Sequence, residues 1–242
     1  MFFKVHGERN SGTNFLKRLL EKNFGNTFGN QDGNKLVDEK YFFWKHGIPK
    51  NQTRNLKENK MVVKVFIFRK LEPWLVSMFH NPYHLKQMDE FETFLTKKQQ
   101  LIFHTHKYLN NCPVNFDDKD KTIFQIRYYK YKKIKEYCQK NENIILVNLD
   151  YLQDNDNCLH FLKEINDKYN LNKKNFSLIE KHTKNSKNIK NTDYDTNYEN
   201  YTEIIDAHKN EEMEKEINDL TYFIKLNKPK IKEIYSKFQK KN

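Results

Sequence analysis

Two glycines near the start of the chain, Gly7 and Gly12, have the spacing of a loop that holds phosphate groups. Residues 7–13, from the first glycine to the residue after the second, read Gly-Glu-Arg-Asn-Ser-Gly-Thr. Glycine lets the backbone approach phosphate oxygens closely, and a helix that begins after such a loop offers N–H groups and a partial positive charge. A second interpretation is a tight turn between a strand and a helix, with Ser11 or Thr13 as the N-cap.

The residues after the second glycine narrow the choice of ligand. Thr13 and Asn14 stand where the loop of a nucleoside triphosphatase has Lys and then Ser or Thr. That lysine contacts the β and γ phosphates, and an acidic motif for Mg²⁺ is not evident in the sequence either. The pattern therefore argues against ordinary hydrolysis of ATP or GTP.

A second motif follows the most apolar stretch of the chain, which runs from Met61 to Phe68. Arg69 comes directly after it, and Ser77 follows eight positions later, with Pro73 in the turn between them. A guanidinium forms charge-assisted hydrogen bonds with phosphate, and a hydroxyl adds a neutral one. The pair is a candidate for a second phosphate; the alternative is an exposed strand end and an ordinary helix residue.

With these two motifs the chain resembles the sulfotransferase family, over roughly residues 1–165. Ser11-Gly12-Thr13 is similar to the core of the family's loop for the 5'-phosphosulfate of PAPS (3'-phosphoadenosine 5'-phosphosulfate), and Arg69 and Ser77 have the spacing of the pair that holds the 3'-phosphate. The resemblance implies a P-loop-like α/β fold, PAPS as co-substrate and no metal. The cofactor-binding residues that it implies are Gly7, Arg9, Asn10, Ser11, Gly12, Thr13, Asn14, Arg69 and Ser77.

A candidate general base lies in the segment Trp44-Lys45-His46-Gly47-Ile48-Pro49. Sulfuryl transfer removes a proton from the acceptor, and His is the usual base near neutral pH. His46 follows a predicted strand, at the sheet edge where open α/β sheets bind ligands. Cytosolic sulfotransferases carry a similar Lys, His and Pro segment, which implies that His46 is the base and that Lys45 assists the leaving phosphate. The alternatives are a surface loop histidine and a lysine that faces solvent.

One residue departs from the family pattern. Many sulfotransferases have Lys or Arg directly before Ser-Gly-Thr, whereas this chain has Asn10 there and Arg9 one place earlier. The resemblance then requires Arg9 or Lys45 to stabilise the charge on the leaving phosphate. An inactive relative with a degenerate site is a further alternative.

Alternating strands and helices must position these residues, and they predict a single domain over 1–242. The fold class that they indicate is a three-layer α/β arrangement with a central parallel sheet flanked by helices. Strands are predicted over about 2–6, 41–44, 61–68 and 143–149. Helices are predicted over about 13–23, 72–79, 91–108, 121–139, 158–169, 209–226 and 230–239. Lysines 130, 132, 133 and 135 predict a solvated helix face.

Composition limits the partners. The chain has 44 Lys and Arg against 32 Asp and Glu, a net charge of +12 that suits nucleotides or nucleic acid. No nucleic-acid-binding motif is evident, no apolar run approaches a transmembrane length, and no histidine pair has a third ligand at metal spacing. Three scattered cysteines indicate a cytoplasmic protein.

The resemblance implies a PAPS-dependent sulfotransferase acting on a hydroxyl or amine, with carbohydrates among the candidate acceptors. No stable nucleic-acid partner and no membrane span are expected. The alternatives are a P-loop-like small-molecule kinase and a non-catalytic module that binds a nucleotide or a nucleic acid.

Overall fold

The protein is described here by a computed structural model, which covers residues 2–25, 62–82, 85–99, 121–179 and 201–225. Its strands are β1 (Phe2–Gly7), β2 (Val62–Phe68), β3 (Ile144–Asn148) and β4 (Tyr222–Lys225). Its helices are α1 (Thr13–Phe24), α2 (Leu71–His80), α3 (Phe91–Thr96), α4 (Ile123–Lys140), α5 (Leu149–Leu152), α6 (Asn155–Tyr169), α7 (Thr202–His208) and α8 (Glu211–Asp219).

The four strands form one sheet in the order β1-β2-β3-β4. The first three strands are parallel, and β4 is antiparallel to β3. Gly7 is paired with Ile67, and Phe68 with Asn148, so the carboxyl ends of the three parallel strands lie side by side. The fold is therefore α/β, as predicted, but its sheet is mixed rather than wholly parallel.

Apolar residues cover both faces of β2, which explains why this strand reads as an almost continuous hydrophobic run. On one face, Val63, Val65 and Ile67 pack with side chains of α1 and α6. On the other face, Phe66 and Phe68 pack with side chains of α4 and α8. Helices thus cover both sides of the sheet.

A separate apolar cluster joins four helices beside the sheet. Trp74 and Leu75 of α2 pack with Phe94 of α3, Phe124 of α4 and Ile205 of α7. The connection of only two residues between β2 and α2 places α2 close to the carboxyl end of the sheet, and the apolar cluster holds it there.

The prediction of one helix over 209–226 is wrong. Helix α8 ends at Asp219, and Tyr222–Lys225 forms β4 along the outer side of β3. A strand edge left open exposes a row of N–H and C=O groups, and the segment Tyr-Phe-Ile-Lys has the aromatic and β-branched residues that strands favour. Pairing with β3 thus overrides the helical pattern.

The other elements differ from the prediction at four further points. Helices α5 (Leu149–Leu152) and α7 (Thr202–His208) are not among the predicted elements, and α5 begins at Leu149, which the prediction places in a strand. Helix α3 ends at Thr96, and residues 97–99 are not helical, although the prediction extends that helix to 108. Helix α6 begins at Asn155 rather than 158, because the Asp154 side chain caps it by accepting from the Asn157 N–H. The predicted elements over 41–44 and 230–239 lie outside the described residues. In the part of the chain that the structure describes, no helix is long and apolar enough to cross a membrane.

Candidate functional site

Gly7 ends β1 at a point where no other residue fits. A Cβ atom there would lie 2.6 Å from the backbone oxygen of Ile67 and 2.6 Å from the Oγ of Ser11. The first atom belongs to the neighbouring strand and cannot yield. The end of β1 therefore passes directly against β2 where the turn begins.

Gly12 begins helix α1 in the left-handed conformation, with φ 87°. A Cβ atom on it would lie 2.7 Å from Cδ1 of Leu149, the first residue after β3. The N-cap predicted for a tight turn, Ser11 or Thr13, is wrong, because Gly12 holds that position. Ser11 instead turns inward, and its hydroxyl donates to the Glu8 carbonyl oxygen over 2.6 Å.

The N-terminus of α1 lacks the two features by which side chains usually stabilise the start of a helix. Its N-cap has no side-chain hydrogen bond, and its first turn contains no acidic residue. The first N–H groups of any helix have no acceptor within that helix, and they carry the positive end of the helix dipole. For a helix of 12 residues, this arrangement suits a phosphate or sulfate group.

The carbonyl groups of the turn are held by donors from within the protein. Glu8 O accepts from the Ser11 N–H and hydroxyl, and Arg9 O accepts from the indole Nε1 of Trp74 over 2.9 Å. Asn10 O lies 3.5 Å from Nη1 of Arg69. Since a carbonyl oxygen repels an anion, these bonds leave the turn more favourable for a negatively charged ligand.

Arg69 and Ser77, predicted to share a phosphate, both lie next to this turn. Arg69 follows β2 and reaches Asn10 with its guanidinium, while Ser77 is in the second half of α2. The Ser77 carbonyl oxygen accepts a hydrogen bond from Nδ2 of Asn10 over 3.0 Å. The structure thus brings the two sequence motifs together, although they are about sixty residues apart in the chain.

Asn10 is in the left-handed conformation, with φ 61°, which asparagine adopts more readily than most residues. Its Nδ2 atom also donates to the carbonyl oxygen of Asn81 over 3.0 Å and lies 3.3 Å from Sδ of Met78. These contacts engage the Nδ2 donors, so a contact from Asn10 to an anion falls to its backbone N–H.

The other residues of the predicted site differ in accessibility. Thr13 is buried, Arg9 is half-buried and Asn14 is exposed. Lys45 and His46, the predicted catalytic pair, lie outside the described residues.

The largest part of the site that the sequence did not reveal is a buried ionic cluster. Arg127 of α4 is 0% exposed; its Nη1 lies 2.9 Å from Oε2 of Glu8, and its Nε lies 2.9 Å from Oε1 of Glu214 in α8. Its Nη2 donates to the carbonyl oxygen of Arg69 over 2.8 Å. Arg127 occurs on the apolar stripe of α4, between Ile123 and Ile134, and a cation at a core position is the signal that could have found it.

Burial and charge act in opposite directions in this cluster. Burial raises the pKa of the Glu8 carboxyl above its ordinary value, against the opposing effects of Arg127 and Lys130. Burial by itself would lower the pKa of Arg127, but the two carboxylates outweigh it and raise the value. The guanidinium therefore stays protonated.

The lysine face predicted for α4 is only partly solvated. Lys132 and Lys135 are exposed, and the Lys133 side chain is 36% exposed. Lys130, however, is buried at 5% exposure and acts on the Glu8 carboxyl. This residue belongs with the ionic cluster rather than with the solvated face.

No protein-family model, curated protein or solved structure matches this chain. Among the described residues, no group of three or more His, Cys, Asp or Glu side chains could hold a metal ion.

Proposed function

We propose that the protein transfers a sulfuryl group from PAPS to a hydroxyl or amine acceptor, on a P-loop-like sulfotransferase fold. The observation that carries this proposal is the uncapped N-terminus of α1 with the guanidinium of Arg69 beside it, 3.5 Å from Asn10 O. A site that combines a helix N-terminus with a separate cation suits a ligand with two anionic groups.

PAPS has this form because one ribose carries both its 5'-phosphosulfate and its 3'-phosphate. Two subsites for such a ligand must be neighbours, and the hydrogen bonds of Asn10 join the turn to the helix that holds Ser77. In this proposal the backbone N–H groups at the start of α1, those of Gly12 and Thr13, bind the phosphosulfate, and the side chains of Arg69 and Ser77 bind the 3'-phosphate.

The reaction needs a base and a stabilised leaving group. The acceptor oxygen or nitrogen attacks sulfur, the bond between sulfur and the bridging phosphate oxygen breaks, and adenosine 3',5'-bisphosphate leaves. His46 takes the acceptor proton, and Lys45 or Arg9 neutralises charge on the leaving phosphate, together with the N-terminus of α1. A carbohydrate hydroxyl is one candidate acceptor.

Thr13 supports this function over a kinase. It is the first residue of α1 and is buried at 7% exposure, at the position where an ATP-binding loop has its phosphate-binding lysine. The phosphosulfate of PAPS carries less negative charge than a nucleoside triphosphate does, so it depends less on such a cation.

Isothermal titration calorimetry tests the nucleotide. Adenosine 3',5'-bisphosphate is expected to bind, with ATP and a short oligonucleotide binding at least tenfold more weakly. Tight binding of ATP or of the oligonucleotide without the bisphosphate would overturn the proposal in favour of a kinase or a nucleic-acid-binding module. Incubation with labelled PAPS and panels of sugars, phenols and amines then identifies the acceptor class.

A further inference from the structure

One buried guanidinium connects four separate parts of the protein at the proposed site. Arg127 contacts the turn through Glu8, the end of β2 through Arg69 O, and α8 through Glu214. Its Cζ atom also lies 4.7 Å from the ring centroid of Trp74, in α2. A planar guanidinium with its donors in a fixed fork specifies the direction of each of these contacts.

The indole of Trp74 continues the same arrangement. Trp74 is 2% exposed, stacks against Arg127 and donates from Nε1 to the Arg9 carbonyl oxygen over 2.9 Å. The stacked pair therefore holds two consecutive residues of the turn, Glu8 by its side chain and Arg9 by its backbone.

Two of these bonds go to carbonyl groups next to the anion-binding groups. Arg69 O belongs to the residue whose side chain is proposed to bind the 3'-phosphate, and Arg9 O belongs to the turn that receives the phosphosulfate. A carbonyl rotated toward the ligand would repel it. Donors that hold both oxygens inside the protein keep the N–H side of the backbone toward the ligand.

We propose that Arg127 and Trp74 are a positioning pair for the anion-binding turn: they bind its carbonyl side so that its N–H groups face the phosphosulfate. The role rests on the proposed function only in the identity of the ligand, since any phosphate or sulfate group at the N-terminus of α1 needs the same orientation. Neither side chain is required to touch the ligand.

Trp74→Phe tests the pair with little loss of packing, because it keeps an aromatic ring but removes the Nε1 donor to Arg9 O. The dissociation constants for pyrophosphate and for adenosine 3',5'-bisphosphate are expected to rise about fivefold to tenfold, as for the loss of one hydrogen bond. The urea unfolding midpoint measures any general destabilisation, which by itself would leave the affinity of the folded protein unchanged.

Tyr131→Phe is the matched control on α4. It removes a hydroxyl that donates to Glu216 of α8 over 3.1 Å, away from the donors to Glu8 and to the Arg9 carbonyl oxygen. This variant should bind both ligands as the wild type does. Arg127→Lys, which keeps the charge but not the fork, should weaken binding further than Trp74→Phe does.

The outcomes separate the two proposals. If the wild-type protein binds pyrophosphate but not the bisphosphate, the sulfotransferase function is contradicted. The affinities of Trp74→Phe and Arg127→Lys for pyrophosphate then test the positioning role by themselves. Unchanged affinity of Trp74→Phe for both ligands would refute the positioning pair. Failure of the wild type to bind either ligand would remove both proposals.

Discussion

Nδ2 of Asn10 donates a hydrogen bond to the carbonyl oxygen of Ser77 over 3.0 Å, and so links the glycine turn to helix α2. Under the proposed sulfotransferase function, Asn10 stands where many sulfotransferases have Lys or Arg. In this chain the residue joins the two proposed phosphate subsites instead of adding a charge to one of them. The substitution is thus compatible with a working site whose cation comes from elsewhere.

Asn10→Gly isolates the role of this link. Glycine adopts a positive φ without strain, so the variant loses the contacts with Ser77, Asn81 and Met78 but keeps the backbone of the turn. Binding of adenosine 3',5'-bisphosphate should weaken by roughly fivefold to thirtyfold, as for one or two hydrogen bonds, in isothermal titration calorimetry.

A matched control exists elsewhere in the chain. Asn172 is exposed and also has a positive φ, 56°, so Asn172→Gly makes the same chemical change outside the turn and should leave the affinity unchanged. Equal affinities for the wild type and Asn10→Gly would show that the link between the turn and α2 does not contribute to binding.

Arg69→Ala is expected to have the largest effect on binding of the bisphosphate. The variant keeps the backbone oxygen that binds Arg127 but removes the proposed charge-assisted contact with the 3'-phosphate. The loss should be roughly 2–4 kcal/mol, since a phosphate left without its charged partner costs more than a neutral hydrogen bond. Pyrophosphate, which has no 3'-phosphate, should lose less affinity in the same titration.

The control for Arg69 is Arg18→Ala, which removes an equal charge from an exposed position on α1. Its affinity should stay within about twofold of the wild type at 0.15 M salt, where exposed charges are screened. An Arg69→Ala variant that binds as tightly as Arg18→Ala would remove Arg69 from the site.

The parts of the fold that the sequence predicts are those with a local signal. Strand β2 is apolar on both faces and is predicted to within one residue of Val62–Phe68. The glycine spacing likewise locates the turn after β1, because Gly7 and Gly12 are each required by a close approach that only glycine permits. In both cases the residues that form the sequence pattern are the same residues on which burial or close packing acts.

The parts that the sequence does not predict depend on distant partners. Tyr222–Lys225 is a strand because β3 offers an open edge, and nothing within 209–226 reveals that edge. Arg127 lies in a segment rich in lysine and tyrosine, and its partners Glu214 and Glu8 are 87 and 119 residues away. Its place on the apolar stripe of α4 marks Arg127 as buried, but its partners become evident only when the fold brings two carboxylates to it.

Gly12→Ala should destabilise the protein more than Gly25→Ala, although the two glycines have similar backbone conformations. Both have positive φ, 87° and 74°, so each alanine adds about 1–2 kcal/mol of backbone strain. At Gly12 the new Cβ would also lie 2.7 Å from Leu149, whereas nothing lies within 4 Å at Gly25. Urea unfolding measures both variants, and equal losses of stability would contradict the close contact between the start of α1 and Leu149.

His46→Ala tests catalysis separately from binding. His46 lies outside the described residues, and its proposed role as the base rests on the sequence. Loss of a general base should slow sulfuryl transfer by about 100-fold or more, measured with labelled PAPS and the acceptor that the screen identifies. Calorimetry should give the same affinity for adenosine 3',5'-bisphosphate as the wild type has, because the base contacts the acceptor and not the nucleotide.

His160→Ala is the control for His46→Ala, since His160 is exposed and its ring nitrogen bonds the Tyr222 hydroxyl over 3.0 Å. Full turnover by His46→Ala would assign the proton transfer to another group, and equal slowing by both variants would indicate a general loss of structure instead of a lost base.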